Sequence, residues 1–473
     1  MTDYFLHQQA GYIQDNFTRK RLTLNLGLRW DRQHDKAAPT QVPASPYQGL
    51  TMGDGRTFTF LPAVNFPGAS DLVTWNDFAP RLGLTYDLTG SGKNVLKGSF
   101  ARYYSQRTTG DLSSTVNTIA ATYVEYPWND LNHDQVVQIN EVNTSRLIAS
   151  GGNYNSVDPA STVSANKIDA AIRNQVTNEA LVSFDRQLAA DWGMSVSYMY
   201  RKYTGFRANY NYDQTTGRIM VPSDWTARTY TPTAANCPVA GARCASITYY
   251  EPTFMIPTAL VYMNVPDYYR KYQGVEATLR KRMSNRWMMN ASIAYNDAPA
   301  YFPTPASYGF SINTFASDPT SMPMQNGAQF APQSTSSGID NVFVNATWIG
   351  RLSGAYQLPW YDIGVAGFYN ARSGYPFLQS INISTRANRA ANIQVLLDPI
   401  GDVRLPTFQT VDFRLDKSVK IARVRLQASM DIFNLMNSNT VLSQRRNQNA
   451  TNANQISSIL APRVIRFGVR MTF

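Results

Sequence analysis

At 473 residues the chain could hold several soluble domains or one large unit. Mean hydropathy is −0.32, and the longest apolar runs fall short of the eighteen or so residues a membrane helix needs, which excludes transmembrane helices. Lys+Arg exceed Asp+Glu by 43 − 32 = 11, but the basic residues form no clustered basic helix, so composition argues against a nucleic-acid partner. Aromatics reach 12%, with 28 Tyr against 22 Phe. That balance fits a soluble enzyme, and it also fits an outer-membrane β-barrel with aromatic girdles.

Period-two alternation dominates from the start. Residues Gln8–Phe17 read as a first strand, followed by the turn TRKR. In Arg21–Asp31 one face carries Leu22, Leu24, Leu26, Leu28 and Trp30, and the other carries Thr23, Asn25, Gly27, Arg29 and Asp31. Such a strand exceeds the usual five or six residues and suits a tilted membrane span of about 9–11. Pairs then recur: Arg81–Asp87 with Asn94–Tyr104, Asn178–Gln187 with Trp192–Arg201, and Val275–Met283 with Trp287–Asn296. Ala346–Gln357 with Tyr361–Asn370, Val411–Val419 with Val424–Phe433, and a last strand Val464–Phe473 complete the series.

Short turns alternate with long connections over 32–79, 105–175, 203–270, 297–345, 371–407 and 435–462. Short periplasmic turns and long extracellular loops mark bacterial outer-membrane barrels. Charges such as Arg29, Glu179, Asp185, Arg351, Asp431 and Arg466 fall on the polar face, which must therefore line a wet or plugged interior. Lys281 and Lys417 stand on the apolar face beside short turns, where they are expected to snorkel; Trp192, Trp287 and Trp360 mark the same level as a periplasmic girdle. The expected fold is all-β: a transmembrane antiparallel up-and-down barrel with about thirteen strands present and long extracellular loops, in the outer membrane of a Gram-negative-type bacterium.

Parity adds an expectation. The first and last strands both run downward, so an upward strand should precede the first. The N-terminal MTDYFLHQQAG also lacks a basic region followed by an apolar core and does not read as a signal peptide. Residues 1–473 are therefore expected to form the C-terminal portion of a barrel domain, the last thirteen strands of a 22-stranded transporter barrel, with the plug domain and earlier strands upstream.

Two local features carry chemistry. In DLNHDQVVQINE, Asp130, Asn132, Asp134, Val136 (through its carbonyl), Gln138 and Glu141 occupy positions 1, 3, 5, 7, 9 and 12 of a calcium loop of the EF-hand kind. Gln135 replaces the glycine of position 6, at a cost of roughly 1 kcal/mol for a positive φ. No helix pair flanks the loop, so Ca²⁺ there would stiffen an extracellular loop rather than switch it; a plain solvated loop is the alternative. The two cysteines, Cys237 and Cys244, lie in NCPVAGARCAS. They read as a local disulfide in an oxidising compartment, contributing roughly 2.5 kcal/mol in the chain-entropy model; a free thiol pair is the alternative. His7, His34 and His133 are isolated from one another and from nucleophiles, so neither zinc binding nor catalysis is indicated.

The segments GYIQDNFTRKRLTLNLGLRWD, FAPRLGLTYDLTGSGKNVLKGSFARYY, YQGVEATLRKRMSNRWMMNASIAYN and VDFRLDKSV, with SMDIFNLMNSNT and the terminal RFGVRMTF, together resemble TonB-dependent outer-membrane receptors of the Oar-like group. The resemblance implies an energised channel for a large or scarce solute, coupled to the TonB complex through an upstream plug. It also implies contacts with outer-membrane lipid and lipopolysaccharide, and recognition of the strand ending at Phe473 by the barrel-assembly machinery. A surface adhesion barrel with calcium-stiffened loops and a passive porin are the two other readings.

Overall fold

A computed structural model describes residues 2–44, 63–70, 72–120, 123–143, 146, 148–151, 153, 162–256, 259–301, 309–310, 315–316, 326–334, 342–361, 363–388 and 392–472. Thirteen strands follow one another in strict sequence order through a single antiparallel sheet. They are β1 (Tyr4–Arg19), β2 (Leu22–Ala37), β3 (Trp75–Asp87), β4 (Asn94–Tyr104), β5 (Val176–Gln187), β6 (Trp192–Thr204) and β7 (Tyr269–Ser284). β8 (Trp287–Asp297), β9 (Trp348–Gln357), β10 (Ile363–Arg372), β11 (Phe408–Ile421), β12 (Val424–Phe433) and β13 (Val464–Thr472) complete the path. A short piece, Ala300–Tyr301, pairs beside the start of β7. Among the described residues no helix is long and apolar enough to cross a membrane; the long elements are strands.

The expected strands are all present, and most run further than alternation alone shows. β2 continues from Asp31 to Ala37, and β7 begins at Tyr269 rather than Val275. The added rungs carry polar residues on both faces, for example Gln9 opposite Arg32 on one and Gln8 opposite Gln33 on the other. The ladder therefore outruns the hydropathy signal. Phe473, the expected assembly signal, lies outside the described residues.

Register assigns each side chain to a face, because residues paired across neighbouring strands share one. Leu26 pairs Leu82, Val182 pairs Tyr198, Ala277 pairs Ile293 and Met430 pairs Phe467 on the apolar face. β1 alternates less cleanly, with Gln9 and Asp15 in its apolar row. Ile293 and Phe467 are 58% and 77% exposed, an arrangement that water would penalise and a hydrocarbon solvent would not. The dry core lies instead among the long connections. There Phe206, Tyr210, Tyr268, Phe343, Leu378 and Ile400 pack into one cluster, and Trp75, Leu112 and Ile172 into another.

The short connections turn through positive φ, at Gly90 and Gly92 and Asn285, which take it readily, and also at Lys20, Arg286, Tyr361 and Ala422. At the turn after β3, Asp87 accepts hydrogen bonds from the backbone N–H groups of Thr89, Gly90 and Gly92. Trp192 and Trp287 meet edge to face at 5.6 Å, and Trp360 is 65% exposed at its turn. Lys281 corrects an expectation. It does not snorkel into water but is 3% exposed, with Nζ donating to the carbonyls of Ser284 and Trp287 and to Ser284 Oγ. Asp191 stands 3.1 Å away. A β-bulge between Lys281 and Ser284 brings the turn's carbonyls around the ammonium, replacing the water that snorkelling would have sought.

The face assignment is directly testable. Leu82→Arg, at mid-height on the apolar face, should cost about 2–4 kcal/mol of folding stability in a bilayer. Ser183→Arg, on the polar face between Glu179 and Asp185, should cost about 0.5 kcal/mol or less. Urea unfolding in lipid vesicles reads both; equal costs would refute the assignment.

Candidate functional site: a charged inner wall, its loop cap and a calcium-type loop

The polar face of the wall is lined by paired charges. Arg201 faces its cross-strand partner Glu179. Lys97 reaches Asp185 at 2.6 Å, and Ser195 Oγ donates to the same carboxylate at 2.6 Å. Asp431 sits between Arg414 at 3.0 Å and Arg466 at 2.8 Å, a row across β11, β12 and β13. Arg29 and Asp31 pair along β2 at 2.7 Å. These side chains are partly open, as expected of groups lining a wet interior rather than lipid. Towards the end with the long connections, a hollow of about 290 Å³ is lined by Gln8, Arg29, Asp31, Gln33, Arg81 and Gln106, among others.

Beyond this end the described residues of the long connections pack against one another as a cap. Its anchor is Asp35, at the top of β2 and 1% exposed. Asp35 accepts from Arg107 Nη1 at 2.9 Å, from the backbone N–H groups of Leu112 and Ser113, and from Ser113 Oγ. The Arg107 guanidinium lies 3.8 Å from the Trp75 ring centre, with Arg207 4.8 Å from the same ring. Arg207 is held by Asp111 at 2.7 Å. Burial holds the Arg107 guanidinium below its ordinary pKa, and Asp35 and Asp111 oppose that shift. Further along, Arg270 stacks on Phe206 and Phe330 at 4.4 and 3.5 Å. Arg404 Nη1 donates to the carbonyls of Asn345 and Gly374. Gly374 has no room for a side chain, since a Cβ would lie 1.5 Å from the Leu405 carbonyl oxygen. None of these contacts is local in sequence, so alternation gives no sign of them.

Cys237 and Cys244 form a bonded pair with Cα atoms 6.3 Å apart. Next to them, Arg243 N–H donates to Gln448 Oε1 and the Arg243 guanidinium pairs with Asp398. The pair thus sits where three connections meet.

The calcium-type segment folds as a succession of tight turns. Asp130 Oδ2 accepts from Gln135 N–H at 2.9 Å, Asn132 Oδ1 from Asp134 N–H at 3.0 Å, and Asp134 Oδ1 from Val136 N–H at 2.7 Å. Gln135 adopts φ +60 without being glycine, as does His133 at +61. The side chains of Asn132, Asp134 and Gln138 bond one another. Glu141, in a short 3₁₀ turn over Ile139–Glu141, is turned back: Trp128 Nε1 and the backbone N–H groups of Leu131 and Gln138 donate to its carboxylate. Asp130 Oδ1 is enclosed and has no hydrogen-bond partner among the described residues. Among those residues no three His, Cys, Asp or Glu side chains converge as a metal-binding group. Val136 lies on the loop with its N–H committed to Asp134.

A wall that shows its apolar face outward and its charges inward, with short turns at one end and a packed cap at the other, defines a membrane β-barrel of the bacterial outer membrane. The chain belongs to the outer membrane beta barrel domain family, which it matches over residues 1–394. No curated protein matches it. Among solved structures it is similar to the FrpB iron transporter of Neisseria meningitidis (12% identity, TM-score 0.45), covering 99% of this chain and 46% of that one. It is also similar to the outer membrane transporter YddB of Escherichia coli (10%, 0.46, 99% and 54%) and the siderophore receptor PiuA of Acinetobacter baumannii (12%, 0.47, 100% and 44%). The chain spans about half the length of these proteins.

The Glu141 carboxyl is held below the usual carboxylate range, first by the Trp128 N–H and then by the backbone donors. A depressed folded value means its stabilising contribution is present above the unfolded value of about 4.3 and fades as pH falls through the folded one. The 128–141 turn should therefore resist protease from pH 7 to about 5 and open below about pH 4. Glu141→Gln should show the open pattern at neutral pH. Protection that is unchanged in the variant would refute the role of this carboxylate.

Proposed function

We propose that this barrel is the wall of a TonB-dependent receptor that carries a large or scarce solute across the outer membrane. One observation carries the reading: the described parts of six long connections pack against one another beyond a charge-lined inner wall. A passive pore has less use for so much ordered protein above its mouth, whereas a receptor needs it to hold its solute before an energised step. The Oar-like segments of β1–β4, β7–β8 and β11–β13 point the same way. Paired charges on the inner wall give a polar solute, or a plug, a hydrogen-bonding surface that need not be dehydrated. The Cys237–Cys244 bond is read as closing in the oxidising periplasm before the cap docks.

The test compares depletion of a defined medium by wild-type cells, by cells lacking the full-length gene, and by cells lacking TonB. The expected result is one solute whose uptake is lost in both mutants. Uptake that survives without TonB would make the protein a passive porin. Unimpaired uptake of every solute together with lost surface attachment would make it an adhesion barrel.

The enclosed, unpartnered Asp130 Oδ1 favours a second element of this reading, a Ca²⁺ ion in the 130–141 loop. Asp130, Asn132, Asp134, Gln138 and Glu141 would supply side-chain oxygens and Val136 its carbonyl, with the amides of Asn132 and Gln138 turned oxygen-inward. Bound calcium would crosslink the loop at extracellular, millimolar-range concentrations. Millimolar Ca²⁺, but not Mg²⁺, should slow proteolysis within 105–175, and Asp130→Asn should abolish the effect. Identical cleavage with and without Ca²⁺ would leave a loop held by its own hydrogen bonds.

A further inference from the structure

The surplus of basic residues has no clustered signature in the sequence, yet the fold gathers part of it at the end with the short turns. Three of those turns have only two residues, Lys20–Arg21, Asn285–Arg286 and Ala422–Arg423, and each carries a cation at its tip. All these cations are exposed. On the inner side of the same end, Lys420 on β11 pairs Arg425 on β12. That rung lies on the face that carries Arg414 opposite Asp431 higher up. Arg19, Arg186 and Lys417 stand on the outward face, opposite Leu22, Met194 and Ile363, and belong to the lipid boundary instead.

Charge is matched higher on the wall and unmatched at its foot. Arg201 has Glu179, Lys97 has Asp185, and Arg414 and Arg466 share Asp431. Lys420 and Arg425, by contrast, are direct cross-strand partners, and like charges so placed repel. Among the described residues, no carboxylate forms an ion pair with Lys20, Arg286, Lys420, Arg423 or Arg425. The acids beside the short turns are already engaged. Asp87 accepts from the backbone N–H groups of its own turn, and Asp191 holds Lys281 at 3.1 Å and accepts from Ser284 Oγ. Arg21 donates to the Leu88 carbonyl and Arg425 to Ser418 Oγ, neutral oxygens that orient a guanidinium without cancelling its charge.

The extent of the array decides what can meet it. From the β1–β2 turn to the β11–β12 turn there are ten strand spacings of about 4.8 Å each, or about 50 Å of rim. A small anion could neutralise one turn and would leave the others as they are. A long, thin row of cations at the periplasmic end calls for a polyanion that lies flat beneath the membrane. Each exposed ion pair would contribute little, but several made by one polymer add up through their effective concentration.

We infer that the periplasmic rim, through Lys20, Arg286, Lys420, Arg423 and Arg425, docks the barrel onto the carboxylate-bearing peptide stems of the peptidoglycan mesh. The mesh runs parallel to the outer membrane on the side the short turns face. Its stem peptides present free carboxylates at intervals, each able to accept charge-assisted hydrogen bonds from a guanidinium or an ammonium group. The contact would tether the barrel laterally without entering the lumen. The proposal goes beyond transport and holds whichever solute the barrel carries.

The test sediments the full-length protein, held in phosphatidylcholine nanodiscs, with purified sacculi that protease has stripped of bound proteins. At about 20 mM salt the protein should pellet with the sacculi, and at about 300 mM it should stay in solution. Sacculi whose carboxyl groups have been converted to amides should pellet about fivefold less of it. The quadruple variant Lys20→Gln/Arg286→Gln/Lys420→Gln/Arg423→Gln should show the same loss on native sacculi. Lys202→Gln/Lys271→Gln, at the opposite end of β6 and β7, should pellet like the wild type. Equal pelleting with native and amidated sacculi, or an undiminished yield of the quadruple variant, would overturn the proposal. Pelleting only with sacculi that keep their proteins would replace it with an acidic protein partner. Loss of pelleting in nanodiscs containing phosphatidylglycerol would assign the cations to lipid headgroups instead. The heat-dependent gel shift reports folding of each variant, and the wild-type comparison of native and amidated sacculi decides the matter even if the quadruple variant does not fold.

Discussion

Backbone amides cannot be left unpaired in hydrocarbon, and nearly everything in this structure follows from that constraint. A chain that crosses a membrane as strands must pair each one with its neighbours along the full height of the band. The meander from β1 to β13 does so in sequence order, with each short turn leading straight into the next ladder. Once the ladders are set, the period of two leaves no freedom over side chains: one set meets lipid and the other meets the interior. The placement of Arg201 opposite Glu179, or of Asp431 between two arginines, is a consequence of register before it is a matter of attraction.

The same constraint explains what could be read from the residues and what could not. Alternation such as Leu22 to Trp30, or Trp192 to Tyr200, is imposed by two different solvents, so it is written plainly in the chain. Where the solvents stop differing, the signal stops. β2 continues as a ladder with Arg32, His34 and Lys36 on one face and Gln33 and Asp35, buried beneath the cap, on the other, and nothing in hydropathy marks it. Lys281 was placed correctly on its face but not in its environment. A bulge decides whether a lysine meets water or carbonyls, and bulges have no one-residue signature.

The cap lies further from the sequence still. Asp35 and Arg107 are separated by the whole of β3 and β4, and Gln448 meets the Cys237–Cys244 segment across half the chain. Buried charge there is tolerated because Asp35 is fully served by donors and Arg107 is flanked by carboxylates and an indole face. The calcium-type spacing is the opposite case, local and easily noticed. Its turns are held by side chains of the same segment, with positive φ at Gln135, and its carboxylates serve the backbone as they stand.

The distribution of these contacts has a consequence for the order in which the molecule takes shape. The wall is made of pairs between strands adjacent in sequence order, and every second pair is closed by a short turn with little loop entropy to lose. The cap is made almost wholly of contacts between segments that only the finished wall brings together, and such pairings are slow to nucleate on a free chain. A cap that emerges last is absent from every partly inserted intermediate. The long connections therefore come together only on barrels whose strands are all in register.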